Sequence, residues 1–314
     1  MTSVMLGIDV GGTHAKFVLV RSDGTTLAET RRDTGSTVVG RDLVPELVSA
    51  TWELVGAAAI SVASSEAAGL SVPGFVDATR SKSVFSPNTP GLVGAGISAQ
   101  LSSALGLPVT FDSDVNAAAF GEATWGSGRG AGRFLVITLG TGVGGGFVVN
   151  DRLVRITGGT IGDIGHIIVQ PGGPRCASGC AGCAEGLVGG AGLLEIARSC
   201  GAPDDIDRPA SVIVAVQAGE AWAMRAVERI GQAVGVLIAS LIPVLLPDRV
   251  AVVGGTTMMG QPLFDAIRST VVAVGGSDYV RDRAIVSGRY PTTAGAVGAA
   301  ALACQERMRP GSET

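Results

Sequence analysis

The feature that most constrains this chain is a short passage that occurs twice. Residues 9–20 read DVGGTHAKFVLV and residues 139–150 read LGTGVGGGFVVN. In each, an apolar strand runs into a turn of glycine and threonine, and a second strand leads away. The repetition predicts two halves of similar topology facing each other. The turns also have a chemical reading. Glycines let backbone N–H groups come close to an anion, and a threonine hydroxyl adds a donor. A third turn of this kind is Val253-Gly254-Gly255-Thr256. One such turn is usually only a tight hairpin, but three in one chain point to phosphate. The candidate contacts are Gly11, Gly12, Thr13, Thr141, Gly142, Gly254 and Gly255. None of the turns matches the P-loop, which needs a lysine after its last glycine, or the dinucleotide fingerprint. Asp9 closes a strand beside two glycines. It either caps the turn or holds a water of a Mg²⁺ riding on nucleotide phosphates, because Mg²⁺ keeps most of its waters.

The rest of the chain alternates strand and helix, which predicts an α/β fold. Strands are expected at 4–10, 15–20, about 25–30, 69–76 and 108–112, with helices over 40–65 and 96–105. A polar, proline-containing loop covers 82–92. The pattern restarts with strands at 133–139 and 144–149. A glycine- and cysteine-rich loop (157–192) follows, then helices near 190–200, 210–218 and 219–246. A strand at 249–253, a helix, a short strand near 284–287 and a final helix from 294 complete the chain. The domain change is expected just after Asp114. That gives a small N-terminal α/β domain (1–114), on which the C-terminal helix (295–314) packs, and a large one (115–294).

Composition removes several classes of function. The net charge is −4 with no basic block, and aromatic residues are 4 %, so no nucleic-acid partner is expected. The most apolar run, 233–246, is broken by Ser240 and Pro243 and falls short of the roughly 20 residues a bilayer requires. It is read as a buried helix, and no membrane association is expected. The N-terminus shows no export signal. Five cysteines, three of them between 176 and 183, are not a secreted disulfide framework. The expected compartment is the cytoplasm.

Two clusters carry candidate chemistry. In FDSDVNAAAFGEA (111–123) a strand passes through two aspartates into an alanine-rich helix. Asp114 stands at the helix start, where a carboxylate is either an ordinary N-cap or a rigidly placed base. In HIIVQPGGPRCASGCAGCAE (166–185), His166, Cys176, Cys180 and Cys183 offer one nitrogen and three sulfurs, a normal set for a closed tetrahedral Zn²⁺. Such a site is structural, since a closed shell leaves no position for chemistry. Cys200 and Cys304 read as core residues.

Taken in order, DVGGT, the Asp-x-Asn helix start, LGTGVGGG, GDIGH, the cysteine loop and GGT resemble the ROK family of sugar kinases, within the actin-like ATPase superfamily. The resemblance covers residues 7 to about 302. It implies two actin-like (ribonuclease H-like) ATPase domains with an interdomain cleft closing over sugar and ATP, usually in a homodimer. Some members are repressors with an N-terminal helix-turn-helix, for which a first phosphate turn at residue 9 leaves no room. By resemblance, Asp114 matches the catalytic aspartate of the family's Asn-Asp-Ala-Asn motif and accepts the proton of the sugar 6-hydroxyl. Asn116 braces the turn and Asp112 supports it. The sugar is held by Ser113, Asp163, His166 and Glu185, with Gly74 and Asn88 lining the same side. Lys16 either contacts phosphate or lies on a strand face. Some relatives with a lysine there use polyphosphate, although ATP with Mg²⁺ is the expected donor.

The chain departs from the family pattern in three places. Ser178 replaces the second cysteine of the zinc motif, and the extra Cys180 is inferred to substitute as ligand. Ser113 stands where the family has asparagine, and Asp163 where it has glutamate. Both of these shorten a side chain at positions that hold the sugar's C3 and C4 hydroxyls. A roomier corner with fewer amide donors and a retained carboxylate suits an ammonium. The expectation is therefore a kinase for an amino hexose such as kanosamine (3-amino-3-deoxyglucose), with a plain glucokinase as the competitor. An N-acetylmannosamine kinase and a non-catalytic sugar sensor stand behind these.

Overall fold

The computed structural model describes residues 3–34, 43–58, 65–86, 89–156 and 159–308. The first half contains β1 (Val4–Val10), β2 (His14–Arg21), β3 (Thr26–Asp33), α1 (Leu43–Ala57), β4 (Ser65–Val72), β5 (Phe75–Val76), β6 (Ser83–Phe85), α2 (Ile97–Leu105), β7 (Val109–Ser113) and α3 (Asp114–Trp125). There follow β8 (Arg133–Leu139), β9 (Val143–Val149), β10 (Arg152–Leu153), α4 (Ala184–Val188), α5 (Gly190–Ser199), α6 (Pro209–Gln217) and α7 (Ala221–Leu245). The chain continues through β11 (Arg249–Val253), α8 (Gln261–Val274), α9 (Asp278–Arg281), β12 (Ala284–Ser287) and α10 (Ala294–Arg307).

The two glycine-threonine passages become two sheets of one design. The first has the order β3-β2-β1-β4-β7, the second β10-β9-β8-β11-β12. In the first, β1 pairs antiparallel with β2 and parallel with β4, which pairs parallel with β7. In the second, β9 and β10 are antiparallel, whereas β8, β11 and β12 are parallel. The central strands β1 and β8 are almost wholly buried, as parallel strands covered on both faces are. The chain forms two compact units. One comprises Met1–Gly130, Gly146–Gly162 and Thr293–Thr314, the other Ala131–Gly145 and Asp163–Thr292. The first therefore runs beyond Asp114, where the sequence reading placed the change, and takes in all of α3.

Within the first unit, α10 lies on β1, β4 and α3. Its sequence, AGAVGAAALACQER, carries almost no bulk, and the backbones come into direct contact as a result. A Cβ on Gly7 of β1 would stand 1.9 Å from the Ala296 carbonyl oxygen, and one on Gly298 would stand 1.7 Å from that of Ala117 in α3. These glycines are required by close approach.

Several boundaries differ from the sequence reading. The strand expected over 69–76 stops at Val72, because Pro73 cannot donate to a ladder and Gly74 takes a φ of 90°. Residues 75–76 then pair as a small hairpin with 83–85, which the expected loop covers. Ser65, expected in a helix, begins β4. A short helix, α4, interrupts the cysteine-rich loop. The apolar run 233–246 belongs to a helix of 25 residues, long and apolar enough to cross a membrane by length and composition. Its buried residues, among them Ala223, Ala226, Ile230, Val234, Leu237 and Leu241, recur every three or four positions, and the helix packs against α8, α4 and α5. Arg225, Glu228 and Arg229 also lie within the helix.

Candidate active site

In the first unit a pair of carboxylates sits where β1, β4, α3 and α10 meet. Asp9 is the penultimate residue of β1, opposite Lys16 of β2. The Ser71 hydroxyl of β4 donates to Asp9 Oδ1 at 2.8 Å. Gly295, in the first turn of α10, abuts the same carboxyl, and a Cβ there would stand 2.6 Å from Asp9 Cγ. The positive end of that helix thus faces Asp9. Burial holds the Asp9 carboxyl above the usual range, against the pull of Lys16 and the Ser71 hydrogen bond. Asp114 is the first residue of α3. Burial, and then the charge of Asp9, push it up to about 7, while the Val115 N–H and Lys16 oppose the rise. Asp114 therefore gives up its proton less readily than an ordinary carboxyl.

The turn that presents Asp114 is tightly specified. Ser113 has no exposed surface, and its hydroxyl accepts from the Asn116 N–H at 3.4 Å. Ser113 is therefore the N-cap of α3, and Asp114 is free of the capping duty that its position in the sequence allowed. Buried Asp112 accepts through Oδ1 from the Ser113 N–H (2.8 Å), Asn116 Nδ2 (2.9 Å) and Arg155 (2.9 Å), and its Oδ2 accepts a second bond from the same guanidinium. Asn116 Nδ2 also donates to the Gly159 carbonyl at 2.7 Å. Its buried Oδ1 has no partner among the described residues.

Among the described candidates of this unit, Gly11, Gly12 and Thr13 form the turn between β1 and β2. Gly11 and Gly12 are half-buried and Thr13 is exposed. The loop is closed by Gly11 N–H to the His14 carbonyl (2.9 Å) and Thr34 N–H to that of Thr13 (3.0 Å). Gly74 closes the β4–β5 corner, where a Cβ would stand 2.0 Å from the Phe85 carbonyl oxygen, so the fold itself demands glycine. Asn88 lies outside the described residues.

The second unit brings two of the glycine turns to neighbouring strand ends. Gly254, at a φ of 105°, approaches the Leu139 carbonyl so closely that a Cβ would stand 2.0 Å from it. The turn containing Gly140, Thr141 and Gly142 therefore adjoins the one containing Gly254 and Gly255. Thr141 is exposed, and the Cβ position of Gly255 meets open space. Glu185 of α4 accepts from the Val143 N–H at 3.1 Å, its carboxylate filling the place a Cβ on Gly142 would need.

The cysteine loop closes on itself. One ligand atom each from His166, Cys176, Cys180 and Cys183 lies within 4.8 Å of all the others. The Cys176 Sγ to His166 Nδ1 separation is 3.7 Å. Zn–S and Zn–N bonds of about 2.3 and 2.0 Å give tetrahedral edges of roughly 3.5–3.8 Å, so the set fits zinc after slight contraction. Cys183 also caps α4 by accepting the Gly186 N–H, which ties the cluster to Glu185. On the imidazole's other side, Nε2 stands 3.6 Å from Asp163 Oδ2. Cys200 and Cys304 are buried away from this group.

Three contributors were not apparent in the sequence. Ser71 and Gly295 touch Asp9 from strands and helices far away in the chain. Arg155 reaches Asp112 across 43 positions. A serine in a buried strand was the only local signal for any of them.

The family model described as ROK family matches residues 5–306. A glucokinase of Thermotoga maritima is 28% identical over 314 residues, covering 95% of this chain and 96% of that protein. A glucokinase of Streptomyces coelicolor is 30% identical over 318 residues, covering 95% and 96%. Among solved structures, a ROK family glucokinase from Streptomyces griseus in complex with glucose and AMPPNP superposes with a TM-score of 0.84 at 28% identity, covering 96% of this chain and all of that one.

Proposed function

The chain belongs to the ROK family, and on that premise we propose that it is an ATP-dependent hexose 6-kinase acting on an amino sugar, with kanosamine as the leading substrate. The observation that carries the kinase reading is Asp114, a carboxylate raised to about 7 at the start of α3, beside Asp9 and Lys16. Phosphorylating a hydroxyl needs a base at the attacking oxygen and stabilisation of the transferred phosphoryl. Asp114 takes the O6 proton, O6 bonds to the γ-phosphorus, and the bond to the bridging oxygen breaks to release ADP. Lys16, with Gly11, Gly12 and Thr13, would bind the phosphates, and Asp9 would hold their Mg²⁺, which would offset the phosphate charge. In the second unit, Thr141, Gly142, Gly254 and Gly255 offer backbone and hydroxyl donors to the nucleotide. His166, Cys176, Cys180 and Cys183 would hold a structural Zn²⁺, which supplies rigidity to the loop carrying Asp163 and Glu185. We place the enzyme in the cytoplasm as a homodimer.

The substrate rests on Ser113 and Asp163. Because Ser113 is buried and committed to capping α3, it acts on the sugar through the turn it sets and the amide donors it lacks. The Asp163 side chain is 43% exposed and free to accept from an ammonium. A charge-assisted hydrogen bond contributes about 1.5–3 kcal/mol, or roughly ten- to a hundredfold in preference. A plain glucokinase is the second reading, favoured by the names of the relatives above.

The deciding experiment is ATP turnover with glucose, mannose, N-acetylmannosamine, glucosamine and kanosamine side by side. We expect kanosamine to exceed glucose in kcat/KM by about tenfold or more, and Ser113→Asn with Asp163→Glu to move the preference towards glucose. Glucose as the best substrate, with an unchanged ratio in the double variant, selects the glucokinase. Sugar binding without turnover of any of them selects a sensor.

A further inference from the structure

We propose that Arg155 is a positioning residue for the catalytic base, holding the strand-to-helix turn that aims Asp114. The inference rests on Asp114 acting as that base. Asp112 is 1% exposed, and both its oxygens are engaged by the Arg155 guanidinium. The same carboxylate accepts from the Ser113 N–H and from Asn116 Nδ2, so one ion pair fixes the residues on either side of Asp114. Arg155 and Asn116 both donate to the Gly159 carbonyl, at 3.3 and 2.7 Å, which links the turn to the segment after β10. Asp114 is itself held by backbone N–H groups of the same turn, among them that of Val115 at 2.8 Å. Its aim therefore depends on where residues 112–116 stand.

The chemistry explains why an arginine is placed here. A buried carboxylate with one side unpaired is costly, and a planar guanidinium satisfies both oxygens in one geometry. If Arg155 is removed, Asp112 has a charge to solvate and draws the turn towards water. The displacement need be only about 1 Å to cost on the order of a hundredfold in rate. Sugar contacts made by the second unit do not pass through Arg155.

The test compares wild type with Arg155→Met, Arg155→Lys and the pair Asp112→Asn with Arg155→Met. For Arg155→Met we expect kcat to fall roughly 10- to 100-fold while the sugar Kd, measured without nucleotide, rises by a much smaller factor. Lysine restores part of the rate by returning the charge without the fork. The double variant recovers more than the single one, because no unpaired charge remains. The Val115 amide resonance should move in Arg155→Met and return in the double variant. An unchanged kcat, or a loss of rate matched by loss of sugar binding and not relieved in the double variant, overturns the proposal. Should Arg155→Met fail to fold, the double variant and Arg155→Lys carry the same comparison. Wild type without sugar-dependent turnover would overturn the kinase reading instead, and the Val115 resonance would still report whether Arg155 orients the turn.

Discussion

At the scale of single residues, the site depends on a division of labour between neighbours. Ser113 caps α3, Asp112 anchors the turn, and Asp114, relieved of capping, stands beside Asp9. Replacing Asp114 with Asn should lower kcat by about 10²- to 10⁴-fold while sugar binding, followed by titration calorimetry, persists. The pH dependence follows from the same carboxyl. As the proposed base it must be ionised, so kcat/KM should fall about tenfold per unit of pH below an apparent value near 7. Stability runs the other way. Below the ordinary value of 3.8 the folded and unfolded chains are both protonated, and nothing is lost. From there up to about 7, the unfolded chain ionises while the folded one resists, and stability declines. Asp114→Asn should therefore melt above wild type at pH 8, with the gap closing towards pH 4.

At the scale of elements, α10 joins the fold to the chemistry. Its small residues allow backbone contact with β1, β4 and α3, and its first turn rests on Asp9. Gly298→Ala places a methyl 1.7 Å from the Ala117 carbonyl oxygen, and the helix must move. We expect a loss of about 1–3 kcal/mol or more in chemical denaturation. Turnover should fall with it, since Gly295 moves on the same helix. The alanine-rich composition of α10 and α3 was plain in the sequence. That their glycines meet each other was not, because two residues separated by most of the chain carry no local mark of contact.

At the scale of the whole molecule, the chain uses one sheet design twice and equips each copy differently. The first unit carries the carboxylate pair, and the second carries the cysteine cluster with its adjoining glycine turns. Metal analysis should find one zinc per chain, lost in Cys180→Ser. A strong chelator should lower the melting temperature, because a structural site adds its binding free energy to folding. What the sequence determined by itself is whatever is written in contiguous residues: the strands with their glycine-threonine turns, the helix start at Asp114, and the spacing of His166 with three cysteines. Each is set by local rules of backbone freedom, periodicity and donor chemistry. Only the tertiary structure decided that Ser71 and Gly295 frame Asp9, that Glu185 fills the space beside Gly142, and that Arg155 braces Asp112. Those depend on parallel strands and buried helices bringing distant residues together, and burial alone makes their hydrogen bonds and charges strong enough to matter.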